Sequence, residues 1–134
     1  MMIARARNYS TADIPSAVSP FVARGRAGVT QGRDYSLHAM SVYRGVTFYL
    51  VVDDLETPSF LPAWFFESVS AALPADWICS VDLGEGVDLV LGPAFVARDL
   101  RAYSAMIDQE RSSVEEFWAR ARQLPGEPER SERS

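Results

Sequence analysis

Few residues in this sequence of 134 could carry out acid–base, nucleophilic or metal chemistry. The chain has one histidine, His38, and one cysteine, Cys79. Any scheme that needs an imidazole must use His38, and two such residues are too few for a zinc site, which takes about four ligands. Cys79 is predicted on the same strand face as Trp77, where a thiol is buried and unreactive. We therefore expect no metal and no cofactor.

The most suggestive cluster of carboxylates is Asp53-Asp54-Leu55-Glu56, which follows a strongly apolar segment. Carboxylates at the end of a strand can bind a divalent cation or act as acid and base. Adjacent strand residues point to opposite faces, so Asp53 and Asp54 can share a site only if a turn separates them. Two interpretations stay open: an Asp-rich turn, or a carboxylate-dependent hydrolase or isomerase that uses Asp53, Asp54 and Glu56 with His38.

Charge is unevenly distributed along the chain. The net charge is −5, all 13 basic residues are arginine, and residues 45–97 contain eight acidic residues and no arginine. The counter-ions of this segment must come from the arginine-rich ends of the fold or from another molecule. An acidic chain without a basic stripe is not expected to bind nucleic acid.

Aromatic residues are concentrated directly after the carboxylate cluster, at Phe60, Trp64, Phe65 and Phe66. Pro58 and Pro62 argue against a strand at this point, and Pro62 suits the start of a short helix over 63–72. One helix cannot turn all of these rings inward. The rings either cover the sheet, anchor a partner protein, or line a pocket for a small ligand.

The elements that must position these residues are mostly strands. Residues 35–53 predict a hairpin with a three-residue loop at 43–45, because arginine at position 44 is costly at the positive φ of a two-residue turn. Val46–Val52 does not alternate, which is typical of a strand covered on both faces. Residues 75–81 and 87–91 predict a second hairpin.

The C-terminal part has a helical pattern. Apolar residues recur at helical spacing over residues 97–123, interrupted by Glu110, and Ser112 begins a capping-box pattern. The segment is either one helix or two helices that bend near residue 111, and we favour two. Residues 125–134 contain no apolar side chain and are expected to form a disordered polar tail.

Together these patterns predict one α+β domain over residues 1–124, with an antiparallel sheet of four or more strands and the C-terminal helices packed on one face. Residues 1–33 are poorly readable and include arginine- and glycine-rich loops, with possible strands near residues 3–9 and 18–24. No apolar run approaches the ~20 residues that span a bilayer, and no secretory signal is apparent. A cytoplasmic protein without membrane association is expected.

The functional expectation follows from the small number of residues that could act in catalysis. A small acidic domain of this kind is expected to bind a basic protein partner, as an immunity or antitoxin-like inhibitor does, rather than to act as an enzyme. Complementary charge would speed the encounter and buried rings would supply affinity. The residues expected to contact the partner are Asp53, Asp54, Glu56, Phe60, Trp64, Glu67, Asp82, Glu85 and Asp88.

Overall fold

A computed structural model describes residues 2–22, 28–70 and 72–122 of the chain. The described strands are β1 (Ile3–Ala6), β2 (Asp34–Ser36), β3 (Ala39–Tyr43), β4 (Val46–Val52), β5 (Pro58–Pro62), β6 (Phe66–Ser70), β7 (Ile78–Gly84) and β8 (Val87–Gly92). The helices are α1 (Ala94–Ala97), α2 (Leu100–Ile107) and α3 (Arg111–Ala121). No described helix is long and apolar enough to cross a membrane.

The strands form two antiparallel sheets. In the described residues, β1 lies between β2 and β6 in one sheet, and the other sheet has five strands in the order β5-β4-β3-β8-β7. The helices cover one face of the five-stranded sheet, where Leu50 and Val90 share a core with Met106 and Phe117. The predicted α+β class, with an antiparallel sheet and C-terminal helices on one face, is confirmed.

Strand β4 is covered on both faces. Leu50 is buried beneath the helices, whereas its neighbour Val51 is buried in the core shared with the three-stranded sheet. Successive strand residues point to opposite faces, so both must be apolar when both faces are covered. The lack of alternation in Val46–Val52 therefore correctly predicted an internal strand.

The alternating segment before β4 was predicted as one strand, and this was wrong. The chain passes from one sheet to the other at Leu37 and His38. The N–H of Leu37 donates to Met2 O (2.8 Å), next to β1, and the N–H of His38 donates to Leu50 O (2.8 Å) in β4. Period-two alternation continues across this change of partner, so the pattern alone does not reveal it.

The turn between β3 and β4 has two residues, not the predicted three. Tyr43 pairs directly with Val46, and both Arg44 (φ 48°) and Gly45 (φ 79°) are left-handed. This conformation costs a non-glycine residue about 1–2 kcal/mol. Two contacts offset that cost: the N–H of Arg44 donates to Gly86 O (2.8 Å), and its guanidinium lies 5.1 Å from the centroid of the Tyr43 ring.

Two predictions for residues 58–72 were wrong. Pro58–Pro62 forms β5, and the predicted helix over 63–72 is a 3₁₀ turn at Ala63–Phe65 followed by β6. Strand β5 is at the edge of its sheet. Pro58 and Pro62 are an even number of residues apart, so their nitrogens face the same side. On an edge strand that side can be the unpaired one, where a missing N–H costs no ladder hydrogen bond.

The second hairpin is confirmed, with later boundaries than predicted. A two-residue turn at Glu85 (φ 53°) and Gly86 (φ 85°) joins β7 to β8. The predicted burial of Cys79 was wrong, because this thiol is exposed. Ser80 faces the helices and donates from Oγ to Ala97 O (2.5 Å), whereas Cys79 points to the other face of this edge strand and belongs to neither core.

The C-terminal segment divides into separate helices, as favoured. The break lies at 108–110, where Gln109 has a φ of 57° and its Nε2 donates to Pro58 O (2.6 Å) on β5. Helix α3 begins at Glu110 as its N-cap rather than at the predicted Ser112. The predicted polar tail lies outside the described residues.

The N-terminal segment contributes more than the sequence suggested. Strand β1, which lies within the possible strand near residues 3–9, is the central strand of its sheet and buries Ala4 and Ala6. The segment near Pro20 forms a 3₁₀ turn at Ser19–Phe21, not a strand. Part of the arginine- and glycine-rich loop predicted there, residues 23–27, lies outside the described residues.

Candidate functional site

The carboxylate of Asp53 stabilises the turn between β4 and β5. Its Oδ1 accepts hydrogen bonds from the backbone N–H of Leu55 (2.9 Å) and of Thr57 (3.0 Å), and its Oδ2 accepts one from Ser59 Oγ (3.1 Å). An aspartate that binds backbone amides two and four residues ahead organises a turn. Asp53 is therefore engaged with its own hairpin.

Asp54 joins this turn to the segment before β2. Its Oδ1 accepts hydrogen bonds from Tyr35 Oη (2.7 Å) and Arg33 Nη1 (3.4 Å), and its Oδ2 accepts one from Thr30 Oγ1 (2.8 Å). Burial, and then the neighbouring Asp54 carboxylate, raise the pKa of the Tyr35 phenol. Asp54 is thus compensated within the fold. Glu56, half-buried in the same turn, has a φ of 60°.

His38 lies in the interior rather than in a cleft. It is 3% exposed and packs edge-on against Phe117, with ring centroids 4.7 Å apart. Among the described residues, the hydrogen-bond donors to Asp53 and Asp54 are backbone amides, hydroxyls and Arg33, and His38 is not one of them. No group of three or more metal-ligating side chains is clustered in the described part of the chain.

The aromatic cluster is mostly used for packing. Phe65 and Phe66 are buried. Trp64 is half-buried, with the guanidinium of Arg7 4.6 Å from its ring centroid and the rings of Tyr9 and Phe65 against it at 5.4 and 5.2 Å. The chain's own groups thus occupy the neighbourhood of Trp64, where the ligand-binding interpretation needed a cavity.

The acidic residues of the second hairpin have a different environment. Asp82, Glu85 and Asp88 are exposed, and no hydrogen bond or ion pair from the described residues reaches their side chains. Glu67, on β6, is also exposed. By contrast, the carboxylate of Asp76, just before β7, accepts hydrogen bonds from both Nη1 and Nη2 of Arg120 in α3. This ion pair lowers the pKa of the Asp76 carboxyl.

The two edges of the five-stranded sheet are also unlike. Edge β5 carries two prolines, and its Pro58 carbonyl accepts a hydrogen bond from Gln109. Edge β7 contains no proline or basic residue, and it exposes apolar side chains at Ile78 (40%) and Val81 (60%). Native edges are commonly protected by proline, lysine or a covering segment. Strand β7 has none of these over Ile78–Val81 in the described structure, although its pairing with β8 is irregular between Val81 and Gly84.

A groove of about 420 Å³ opens between the sheet and α2, beside the second hairpin. Phe48, Phe60 and Tyr43 lie at its base, and Glu85 and Asp108 are part of its lining. Phe60 packs against Tyr103 with centroids 5.1 Å apart. Of these residues, the sequence analysis had singled out Phe60 and Glu85. The signal it missed is Ile107, which continues the apolar stripe yet is 47% exposed.

Six of the nine predicted contact residues therefore fall into two groups. Asp53 and Asp54 hold the fold together, and Trp64 packs among the chain's own side chains. The carboxylates of Asp82, Glu85 and Asp88 lie together on one exposed hairpin whose outer strand is an open edge. Comparison of the chain with protein-family models, with curated proteins and with solved structures found no match.

Proposed function

We propose that this protein binds a basic protein partner, and that the partner adds an extended segment to the open edge at β7. The observation that carries the proposal is that, among the described residues, a sheet edge without proline, lysine or a covering segment adjoins three carboxylates without a counter-ion. An inhibitor of the immunity or antitoxin type is the biological role that this mode of binding fits. Asp53, Asp54 and Trp64, which the sequence suggested as contacts, are left out of the proposed surface.

The edge supplies the affinity. A strand that pairs with β7 would take up its outward-facing N–H and C=O groups, and the side chains of the two strands would alternate between faces. Val81 and Ile78 are exposed by 60% and 40%, and burying apolar surface is worth about 25 cal/mol per Å². The exposed side chains of β7 thus provide apolar contacts next to the backbone hydrogen bonds.

The carboxylates supply the preference for a basic partner. No counter-ion from the described part of the chain pairs with Asp82, Glu85 or Asp88, and residues 45–97 contain no arginine that could provide one. Exposed charges of one sign raise the encounter rate with an oppositely charged partner and disfavour an acidic one. Because such charges are screened by salt, binding should weaken as ionic strength rises.

Paired substitutions to lysine test this proposal. Val81→Lys places a charge of the kind that protects natural edges into the proposed interface. Leu55→Lys makes the same change at another exposed apolar residue, 83% exposed, in the turn before β5. A partner cross-linked to the wild-type protein in its host and then purified should bind Val81→Lys at least about tenfold more weakly.

The Leu55→Lys control determines how a loss of affinity in Val81→Lys is interpreted. Leu55→Lys should keep nearly wild-type affinity, and high salt should weaken the wild-type complex. Equal losses for both variants would mean that added positive charge, and not the edge, is responsible. Undiminished binding by Val81→Lys would overturn the proposal.

A further inference from the structure

The groove beside the second hairpin has an aromatic base. Phe48 of β4 is flanked by Phe21, whose ring meets it edge-on at 5.1 Å and 87°, and by Tyr43, whose centroid lies 6.4 Å away. At these distances the rings of Phe21, Tyr43 and Phe48 border the same part of the groove. Phe21 is itself 38% exposed, so this space is open to solvent.

Helix α2 forms the opposite wall. Leu100, Tyr103, Ser104 and Ile107 follow the i, i+3, i+4, i+7 spacing of one helical face, and all four line the groove. The hydroxyl of Tyr103 forms a hydrogen bond with Ser41 Oγ (2.9 Å) in the interior. The chain turns away after Ile107, so the last turn of the apolar face of α2 is left half open. The resulting volume of about 420 Å³ is within the ~300–1,000 Å³ range of small-molecule sites.

The charges of the groove have one sign. Glu85 comes from the turn between β7 and β8, and Asp108 is the C-cap of α2. The C-terminal end of a helix carries partial negative charge and favours a cation, so a carboxylate at that position adds to a negative potential. No lysine, arginine or histidine is among the lining residues that the structure describes. Arg44 lies outside the lining, with its guanidinium 5.1 Å from the Tyr43 centroid.

We propose that this groove binds a small organic cation, an ammonium or guanidinium group carried on an aromatic or aliphatic body. The body lies against Phe48, Phe60 and Ile107, and the cationic group lies between Glu85 and Asp108. Aromatic rings within about 6 Å of a cation add to its attraction. The groove shares Glu85 with the proposed partner surface, but binding in the groove does not require a partner at the β7 edge, so either proposal can fail without the other.

Three probes that share one apolar body test the site. 4-Phenylbutylammonium, 4-phenylbutanol and 4-phenylbutyrate each carry a phenyl ring on a four-carbon chain and end in a cationic, a neutral and an anionic group, and their binding can be measured by calorimetry on the full chain. The cation should bind about tenfold more tightly than the alcohol, and the anion should bind most weakly. Backbone NMR shifts should map the cation to α2 and to the turn at Glu85.

Two matched sets of variants complete the test. Glu85→Gln combined with Asp108→Asn should remove the preference for the cation and leave the affinity for the alcohol unchanged. Asp88→Asn removes an equally exposed carboxylate that is not part of the lining and should change nothing. Ile107→Trp should fill the groove and abolish binding of all three probes, while an unchanged melting temperature shows that the fold is intact.

Three results would overturn the proposal. The first is equal affinity for the cation and the alcohol, and the second is shift changes that map elsewhere. The third is binding that appears only after Arg24 and Arg26, in the segment next to Phe21, are replaced by alanine. That outcome would make an arginine of the chain itself the occupant.

Discussion

Two hairpins of the five-stranded sheet, β4–β5 and β7–β8, carry similar acidic residues and use them differently. In the turn between β4 and β5, Asp53 and Asp54 accept six hydrogen bonds from the chain itself. In the hairpin of β7 and β8, Asp82, Glu85 and Asp88 accept none from the described residues. The first set of carboxylates maintains the structure, and the second remains available to another molecule. Acidic composition alone thus does not identify a binding surface.

The largest expected effect is a difference in the free energy of unfolding between a substitution in the β4–β5 turn and one in the β7–β8 hairpin. Asp53→Ala removes the acceptor of three hydrogen bonds, and hydrogen bonds to a charged group are worth about 1.5–3 kcal/mol. We expect the free energy of unfolding in urea to fall by about 2–3 kcal/mol. Asp88→Ala should stay within about 0.5 kcal/mol, as surface substitutions do. A comparable loss for Asp88→Ala would show that the second hairpin also has a structural role.

A smaller effect tests whether Asp54 acts through Tyr35. A double-mutant cycle with Tyr35→Phe and Asp54→Asn should give a coupling energy of about 1 kcal/mol, because the two groups share a 2.7 Å hydrogen bond. The same cycle with Tyr35→Phe and Glu85→Gln should give no coupling, since no described residue forms a hydrogen bond or ion pair with the Glu85 side chain. Additive effects for Tyr35 and Asp54 would contradict the assigned contact.

The smallest effect is the dependence of stability on pH in alkaline solution. The pKa of Tyr35 is raised in the folded state, by burial first and by Asp54 second. The unfolded chain therefore loses this proton first, and stability falls as pH rises above about 10, the ordinary tyrosine pKa. Tyr35→Phe should reduce this loss without abolishing it, because burial also raises the pKa values of Tyr49 and Tyr103. An unchanged alkaline slope would contradict the buried placement of the phenol.

The fold class was predictable because it depends on hydrophobic patterns that extend over whole strands and helices. The apolar run of β4 and the helical stripe after residue 97 both reflect burial, and burial determined their final positions. The failures occurred where tertiary contacts overcame local preference. Arg44 adopts a positive φ because its N–H donates to Gly86, and the Pro58 strand is tolerated because it lies at an edge.

The candidate surface was only partly predictable. The sequence indicates that residues 45–97 need counter-ions, but it does not show that Arg33 provides one for Asp54 or that Arg120 provides one for Asp76. These pairs join residues 21 and 44 positions apart. The groove was missed because its rings come from a 3₁₀ turn, three strands and α2, and are spread between residues 21 and 103. Only the exposure of Ile107 at the end of an apolar stripe hinted at an uncovered surface.

Amide hydrogen exchange on the complex with the cross-linked partner tests the central claim most directly. We expect backbone amides of β7, between Ile78 and Val81, to exchange more slowly in the complex, while those of the turn at 53–57 remain as they are in the free protein. Slower exchange at that turn or along β5, with β7 unchanged, would contradict the assignment of the open edge as the binding surface.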